Sequence, residues 1–284
     1  MAKQSLGKSK TSYQSFVGIA LSGAKNDRTT FCELQYFPKY DQIALSSVVE
    51  GIGPSKSKLG DSILVEKIND LKSVKKLAVN SSIQLPPCFR CRLSCPGIES
   101  CRVEEVKWLH AEFQKEAKKN KKAKMPLPYT DRPVEYYINT HFEKNIETQY
   151  SLSANAAPLT ARSFFLNKHF KEKLIEVLPS LSVWRIGNYL KVQKSYLKYY
   201  KNSEDCEVIR LFFLDQVKEK IPLFLYNQDK QKLVSNPQAF DAFICALTAF
   251  YEHKRMTEDK PKNFPKKASW VAIPKEDLSK AFQK

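Results

Sequence analysis

The stretch FVGIALSGAKNDRTTFCELQYF, residues 16–37, contains two apolar segments separated by a polar turn. FVGIALSG (16–23) is apolar and contains β-branched residues, whereas TTFCELQYF (29–37) alternates as a strand does. The intervening AKNDR has the polar composition of a turn. These features predict a β-hairpin at the start of the folded part of the chain.

The segments that follow extend the hairpin into a mixed α/β sheet. DSILVEKINDLK (61–72) has apolar residues at helical spacing, and KKLAVNSSI (75–83) is a short apolar strand with a polar end. The order strand, strand, helix, strand is typical of a mixed α/β domain. Further helices are predicted at 103–124, 133–147, 155–170, 207–221 and 236–255, and further strands at 173–180 and 269–274.

Composition and charge narrow the class of protein. The 284 residues are 42% hydrophobic and 12% aromatic, which predicts a folded chain. The basic N-terminus lacks the apolar segment of a secretory signal, and no apolar run reaches roughly eighteen residues. We therefore expect a cytoplasmic protein that crosses no membrane. We interpret residues 1–15 as a disordered basic tail and 16–284 as a single domain.

The formal net charge of +17 predicts a polyanionic partner. Lysine outnumbers arginine, which favours contact with a phosphate backbone over the reading of bases. The partner we expect is nucleic acid, either DNA or RNA. The lysine-dense end of the helix at 103–124 is one candidate surface, although lysines there also suit the helix dipole. The candidate residues are Lys118, Lys119, Lys121 and Lys122.

Four of the seven cysteines fall within LPPCFRCRLSCPGIESC, residues 85–101. Cys88, Cys91, Cys95 and Cys101 have the spacing C-x2-C-x3-C-x5-C. Disulfides are rare in a reducing compartment, so we predict a metal site, zinc or alternatively an iron–sulfur cluster. The loop would lie in an insertion at about residues 85–150. Its arginines could present positive charge to phosphates; they are Arg90, Arg92 and Arg102.

Three polar residues stand where an apolar core is expected. Asn80 ends the strand in KLAVN, Glu176 lies inside LIEVL, and Asp241 lies on an otherwise apolar helix face. Buried carboxylates are costly unless they are paired or bind a metal. Each residue alone is compatible with a cap or a satisfied polar core position, but the set of three predicts a site.

Several segments resemble, in order, a widespread bacterial and archaeal family of predicted nucleases with a ribonuclease H-like fold. The resemblance implies a mixed five-stranded sheet flanked by helices, with central acids that bind Mg²⁺ or Mn²⁺. It covers nearly the whole chain, although each motif alone is weak. The segments are FVGIALSGAKNDRT (16–29), LAVNSSIQLP (77–86), YTDRPVEYYI (129–138), NAAPLTARSFFL (155–166), LIEVLPSL (174–181), FDAFICALTA (240–249) and WVAIP (270–274).

The chain departs from the family pattern at its acidic positions. Ala20 stands at the position of the first-strand aspartate, and Asn80 stands at that of another. Glu176 and Asp241 remain, and either Asp27 or Glu33 could in principle compensate. The resemblance thus implies a degenerate catalytic set of Glu176, Asp241 and Asn80.

We predict a nucleic-acid-binding protein whose nuclease activity is lost or reduced. Two alternatives remain open at this point. One is an active metal-dependent nuclease, which hydrolyses phosphodiester bonds. The other is an interaction protein whose basic face binds an acidic partner. An ATPase of the actin and sugar-kinase type is disfavoured, because no second glycine-rich phosphate loop follows the first hairpin.

Overall fold

A computed structural model describes residues 13–23, 29–142, 146 and 150–282. It contains one mixed sheet in the order β5-β4-β1-β2-β3-β6. β1, β2 and β3 form an antiparallel meander, β4 and β5 run parallel to β1, and β6 runs parallel to β3. The strands are β1 (Gln14–Ala20), β2 (Thr29–Phe37), β3 (Gln42–Ile52), β4 (Val74–Val79), β5 (Leu174–Glu176) and β6 (Leu223–Phe224).

Ten α-helices flank this sheet within the described residues. They are α1 (Gly60–Asn69), α2 (Pro87–Arg90), α3 (Glu104–Lys119), α4 (Pro133–His141), α5 (Ala157–His169), α6 (Pro179–Tyr189), α7 (Lys194–Leu197), α8 (Cys206–Lys220), α9 (Asn227–Ser235) and α10 (Pro237–His253). A short 3-10 helix, Ser279–Phe282, follows. Within the same residues, no helix is long and apolar enough to cross a membrane.

The prediction of an α/β protein with a helix-flanked mixed sheet is confirmed, but the sheet has six strands instead of five. β3 was not predicted, because register shifts in its pairing with β2 interrupt the alternation of its side chains. The strand predicted at 269–274 is wrong: the segment makes only isolated bridges, Val177 with Ala272 and Thr257 with Pro274. Residues 1–12 of the predicted tail lie outside the described residues, and Gln14 and Ser15 belong to β1.

β1 is apolar throughout because helices cover both faces of the sheet. Phe16 and Ala20 point to one face and join the larger core, to which α10 contributes. Val17 and Ile19 point to the opposite face and pack with apolar residues of α1 and α5. The hairpin segment therefore supplies both layers of the core, as expected for alternating side chains.

α10 packs directly against the central strands. It contacts β1, β2 and β4, and every residue from Ala239 to Tyr251 is buried. A Cβ atom added at Gly18 would lie 2.0 Å from the carbonyl oxygen of Ala242. Glycine is therefore required at this position of β1 for the helix backbone to approach the sheet.

A third cluster of buried side chains joins α3 and α4 to the C-terminal segment. Trp108 of α3 packs edge-on against Phe264, with ring centroids 5.0 Å apart. Val134 and Ile138 of α4 join the same cluster. This packing fixes α4, and with it the residue that precedes the helix, Arg132.

Candidate functional site

The polar residues selected from the sequence come together at one edge of the sheet. β1, β4 and β5 are parallel, so their C-terminal ends meet at the same edge. Ala20 ends β1, Asn80 follows β4, and Glu176 ends β5. Asp241 lies on the first turns of α10, which crosses these strands. The relative placement that the resemblance implies is therefore present, with alanine and asparagine at two of the acidic positions.

Asn80 has a structural role at this edge. Its backbone N–H donates to the carbonyl oxygen of Ile19 at 3.1 Å, which extends the pairing of β1 with β4. Its side-chain Oδ1 accepts a hydrogen bond from the N–H of Leu21 at 2.8 Å. The amide thus fixes the chain just beyond Ala20, and this oxygen is already used inside the protein.

Glu176 is fully buried and is held by a buried arginine. Arg132 donates from Nη2 to Oε1 at 2.6 Å and from Nη1 to Oε2 at 2.8 Å, a bidentate ion pair. The N–H of Ile83 donates to Oε2 at 3.2 Å. Both oxygens of Glu176 therefore have strong donors.

Arg132 also binds a second carboxylate. Its Nε donates to Oε1 of Glu135 at 2.8 Å, and Glu135 accepts the N–H of Arg132 in return, which caps α4. Burial alone would lower the pKa of Arg132, but the charges and hydrogen bonds of Glu176 and Glu135 raise it, so the guanidinium stays cationic. Burial raises the pKa of Glu135, and Arg132 opposes that increase.

Asp241 is the other remaining carboxylate, and it too is paired. Lys201 Nζ lies 2.5 Å from Oδ2. The hydroxyl of buried Tyr200 donates to Oδ1 at 3.0 Å. Burial would lower the pKa of Lys201, but the charge of Asp241 raises it above the ordinary lysine value, so the ammonium is retained.

Asn80, Asp241 and Lys201 line a small cavity of about 110 Å³ together with Ser81 and Ser82. Glu176 lies behind this cavity, connected to it through Arg132, which also donates to the Ser82 hydroxyl at 2.9 Å. The centre of the site thus contains an ammonium and a guanidinium, each bound to a carboxylate. Cations of the protein occupy the places where a metal would bind these oxygens.

The prediction of Mg²⁺ or Mn²⁺ at this centre is wrong. Among the described residues, no group of three or more His, Cys, Asp and Glu side chains is placed to hold a metal ion. Neither compensating residue changes this. Asp27 lies outside the described residues, and Glu33 accepts a hydrogen bond from Ser15, at the opposite end of β1 from Ala20.

The prediction of zinc or an iron–sulfur cluster at the cysteines is also wrong. The four cysteines are within the described part of the chain, where no metal-holding group is found. Cys88, Cys91, Cys95 and Cys101 border a wide, mainly apolar cavity of about 410 Å³, whereas a zinc shell requires sulfurs that converge at one point. Burial raises the pKa of the Cys88 thiol, and its thiol neighbours raise it further, which disfavours the thiolate that binds metals.

The predicted nucleic-acid-binding residues divide into two groups. Arg90 is engaged inside the protein: it pairs with Glu105 at 2.6 Å and donates to the carbonyl oxygen of Leu85 at 2.9 Å. Arg92 and Arg102 are exposed. The four lysines at the end of α3 are also exposed, and none forms an ion pair with another described residue; they are Lys118, Lys119, Lys121 and Lys122.

Sequence reasoning missed the two cations of the centre. Arg132 lies in the segment YTDRPVEYYI, where the proline and Glu135 indicate a helix start but not a partner for Glu176. Lys201 lies in a lysine-rich stretch, LKYYKNSED, that has no distinguishing pattern. A buried carboxylate that needs a partner was the one available signal, and it does not identify which cation responds.

No protein-family model, curated protein or solved structure matches the chain.

Proposed function

We propose that this protein binds nucleic acid through exposed lysines and does not cleave it, on a ribonuclease H-like sheet whose acidic centre has been replaced by ion pairs. The observation that carries the proposal is the pairing of both remaining carboxylates with cations of the chain itself. Glu176 is bound by Arg132, and Asp241 is bound by Lys201. Metal-dependent phosphodiester hydrolysis needs carboxylate oxygens that are open to metal ions.

The mixed sheet and the placement of Asn80, Glu176 and Asp241 support the ribonuclease H-like part of the proposal. The binding part is supported by the net charge of +17 and by where the charge lies. Lysines beyond the α3 C-terminus are solvated and unpaired among the described residues, so they can exchange water and counterions for phosphates.

Binding is tested with duplex and single-stranded DNA and RNA by fluorescence anisotropy over a range of salt concentrations. Backbone binding predicts a linear fall of log affinity with log salt, with a slope of about −0.9 for each duplex phosphate neutralised. Changing the four α3 lysines together to alanine should weaken binding and make the slope shallower by about 3. The changed residues are Lys118, Lys119, Lys121 and Lys122.

A matched control removes the same charge elsewhere. Four exposed lysines of α1, β4, α5 and the α1–β4 connection serve this purpose: Lys67, Lys72, Lys75 and Lys168. Their combined change to alanine should affect binding less than the α3 variant does. Equal losses would show that only total charge matters. No binding of any nucleic acid at low salt would contradict the proposal and favour an acidic protein partner.

The loss of catalysis is tested with the same nucleic acids in the presence of Mg²⁺ or Mn²⁺. We expect no cleavage above background, because Arg132 and Lys201 already bind the carboxylates. Cleavage by the unmodified protein that disappears in the Asp241→Asn variant would contradict this part of the proposal.

A further inference from the structure

A cleft lies between the C-terminal end of α3 and the outer face of α4. It has a volume of about 350 Å³ and is lined by residues of both helices and of the turn after α3. This volume falls in the range of small-molecule sites, roughly 300–1,000 Å³, so it has room for a nucleotide unit. Lys122 and Lys124 contribute two ammonium groups to its lining, and Glu116 contributes one carboxylate. The formal charge of the lining is therefore positive.

The turn that carries the two lysines is held by hydrogen bonds. The side-chain Oδ1 of Asn120 accepts the N–H of Lys122 at 3.0 Å, and its carbonyl oxygen accepts the N–H of Ala123 at 2.9 Å. The N–H of Asn120 itself donates to the carbonyl of Glu116 at 2.8 Å. Lys122 therefore projects from an ordered turn, which lowers the entropy lost when it binds an anion.

Tyr136 of α4 also lines the cleft, and its hydroxyl is an unused donor. The residue is 8% exposed, and its hydroxyl oxygen is buried with no hydrogen-bond partner among the described residues. Such groups are rare, because a buried polar atom without a partner costs free energy. Burial raises the pKa of Tyr136 to about 12, with smaller increases from the charges of Glu116 and Glu112, so the hydroxyl keeps its proton.

We propose that this cleft anchors one phosphodiester group of a bound nucleic acid, with Lys122 and Lys124 pairing with the phosphate and the Tyr136 hydroxyl donating a hydrogen bond to it. The inference rests on the proposed function and adds a particular site to it. Two cations and a neutral donor suit a singly charged phosphodiester, while Glu116 restrains the attraction for other anions.

The first test is Tyr136→Phe, which removes only the hydroxyl. Its affinity for a short oligothymidylate at low salt should fall about tenfold, as expected for one hydrogen bond to a charged group. Its thermal stability should be unchanged or higher, because the hydroxyl has no partner among the described residues. The matched control is Tyr251→Phe, another buried hydroxyl without a described partner, located in the core of α10. It should bind like the wild type.

The second test compares two double variants with the same loss of charge. Lys122→Ala with Lys124→Ala removes the cleft cations, whereas Lys118→Ala with Lys119→Ala removes exposed lysines of α3 that do not line the cleft. The cleft pair should lose at least several-fold more affinity for oligothymidylate. Inorganic phosphate, compared with chloride at matched ionic strength, should compete better against the wild type than against Tyr136→Phe.

The outcomes separate this inference from the proposed function. If the wild type fails to bind oligothymidylate at low salt, both proposals are wrong. If it binds, but Tyr136→Phe binds equally well and the two lysine pairs have equal effects, only the cleft is wrong. Competition by inorganic phosphate without any effect of Tyr136→Phe on oligothymidylate would also overturn the cleft as an anchor for nucleic acid.

Discussion

The edge of the sheet and the end of α3 use charge in opposite ways. At the sheet edge, Arg132 and Glu176 are almost fully buried and bind each other through two hydrogen bonds. Beyond α3, Lys121 and Lys122 are exposed and make no ion pair within the described residues. Buried charges cannot exchange their partners without a large free-energy cost, whereas solvated charges can.

This difference explains how a ribonuclease H-like scaffold can retain an attraction for nucleic acid after losing its chemistry. Each carboxylate at the centre now contributes to the stability of the fold through an internal cation. The lysines contribute little to stability and are available for a ligand. Substitutions at the two regions should therefore change different measurements, stability at the first and binding at the second.

The largest expected effect follows from Arg132→Met. The variant leaves Glu135 and Glu176 buried without their shared cation, so the free energy of unfolding at neutral pH should fall by about 3–5 kcal/mol. The pKa values of both carboxyls should then rise in the folded state above the unfolded value of about 4.3. The penalty therefore grows as pH rises through the folded pKa values and shrinks on acidification. Urea unfolding at several pH values measures it.

Arg210→Met is the matched control for that experiment. Arg210 is equally buried, but it donates to the backbone carbonyls of Val234 at 2.7 Å and Tyr200 at 2.5 Å. Its loss should destabilise the protein because two carbonyls lose a donor, and the cost should be nearly the same at each pH. Parallel pH profiles for the two variants would contradict the role assigned to Arg132.

A smaller effect is expected at the second ion pair of the sheet edge. Lys201→Met leaves Asp241 with Tyr200 as its remaining printed-sequence neighbour and donor, so the free energy of unfolding should fall by about 2 kcal/mol. The loss is below that of Arg132→Met because the Lys201 side chain is 33% exposed and water can approach Asp241. Thermal or urea unfolding measures the change.

The control for Lys201 is Lys230→Met. Lys230 lies 2.5 Å from Asp215, but Asp215 is 51% exposed. A pair of this kind contributes about 1 kcal/mol or less. Equal losses in the two variants would show that the buried position of Asp241 does not strengthen its ion pair.

The sequence predicted those parts of the fold whose signal is local. The apolar run and alternating run of residues 16–37 predicted β1 and β2, because each strand shows its side-chain pattern in consecutive residues. β3 and the two-residue β6 were missed, because a bulged strand loses its alternation and a two-residue strand has none.

The candidate site was predicted in its positions but not in its chemistry. Asn80, Glu176 and Asp241 were identified because polar residues interrupt apolar segments. Their partners were not, because Arg132 lies 44 residues from Glu176 and only the tertiary fold brings them together. The cysteine spacing led to a wrong metal assignment for a related reason: spacing limits how far apart the sulfurs lie, but not whether they converge.

The smallest expected effect on stability belongs to the lysines after α3. Changing Lys118, Lys119, Lys121 and Lys122 together to alanine should alter the free energy of unfolding by less than about 1 kcal/mol, because exposed charges interact weakly through water. Two opposing contributions are expected. Lys118 and Lys119 lie in the last turn of α3, where cations favour the helix dipole, while removing four like charges relieves repulsion in a chain of net charge +17. Both contributions should diminish in high salt. Urea unfolding at low and high salt measures them, and a loss above about 2 kcal/mol would mean that these lysines are part of the fold, so that the binding defect of the same variant would no longer report on a contact with nucleic acid.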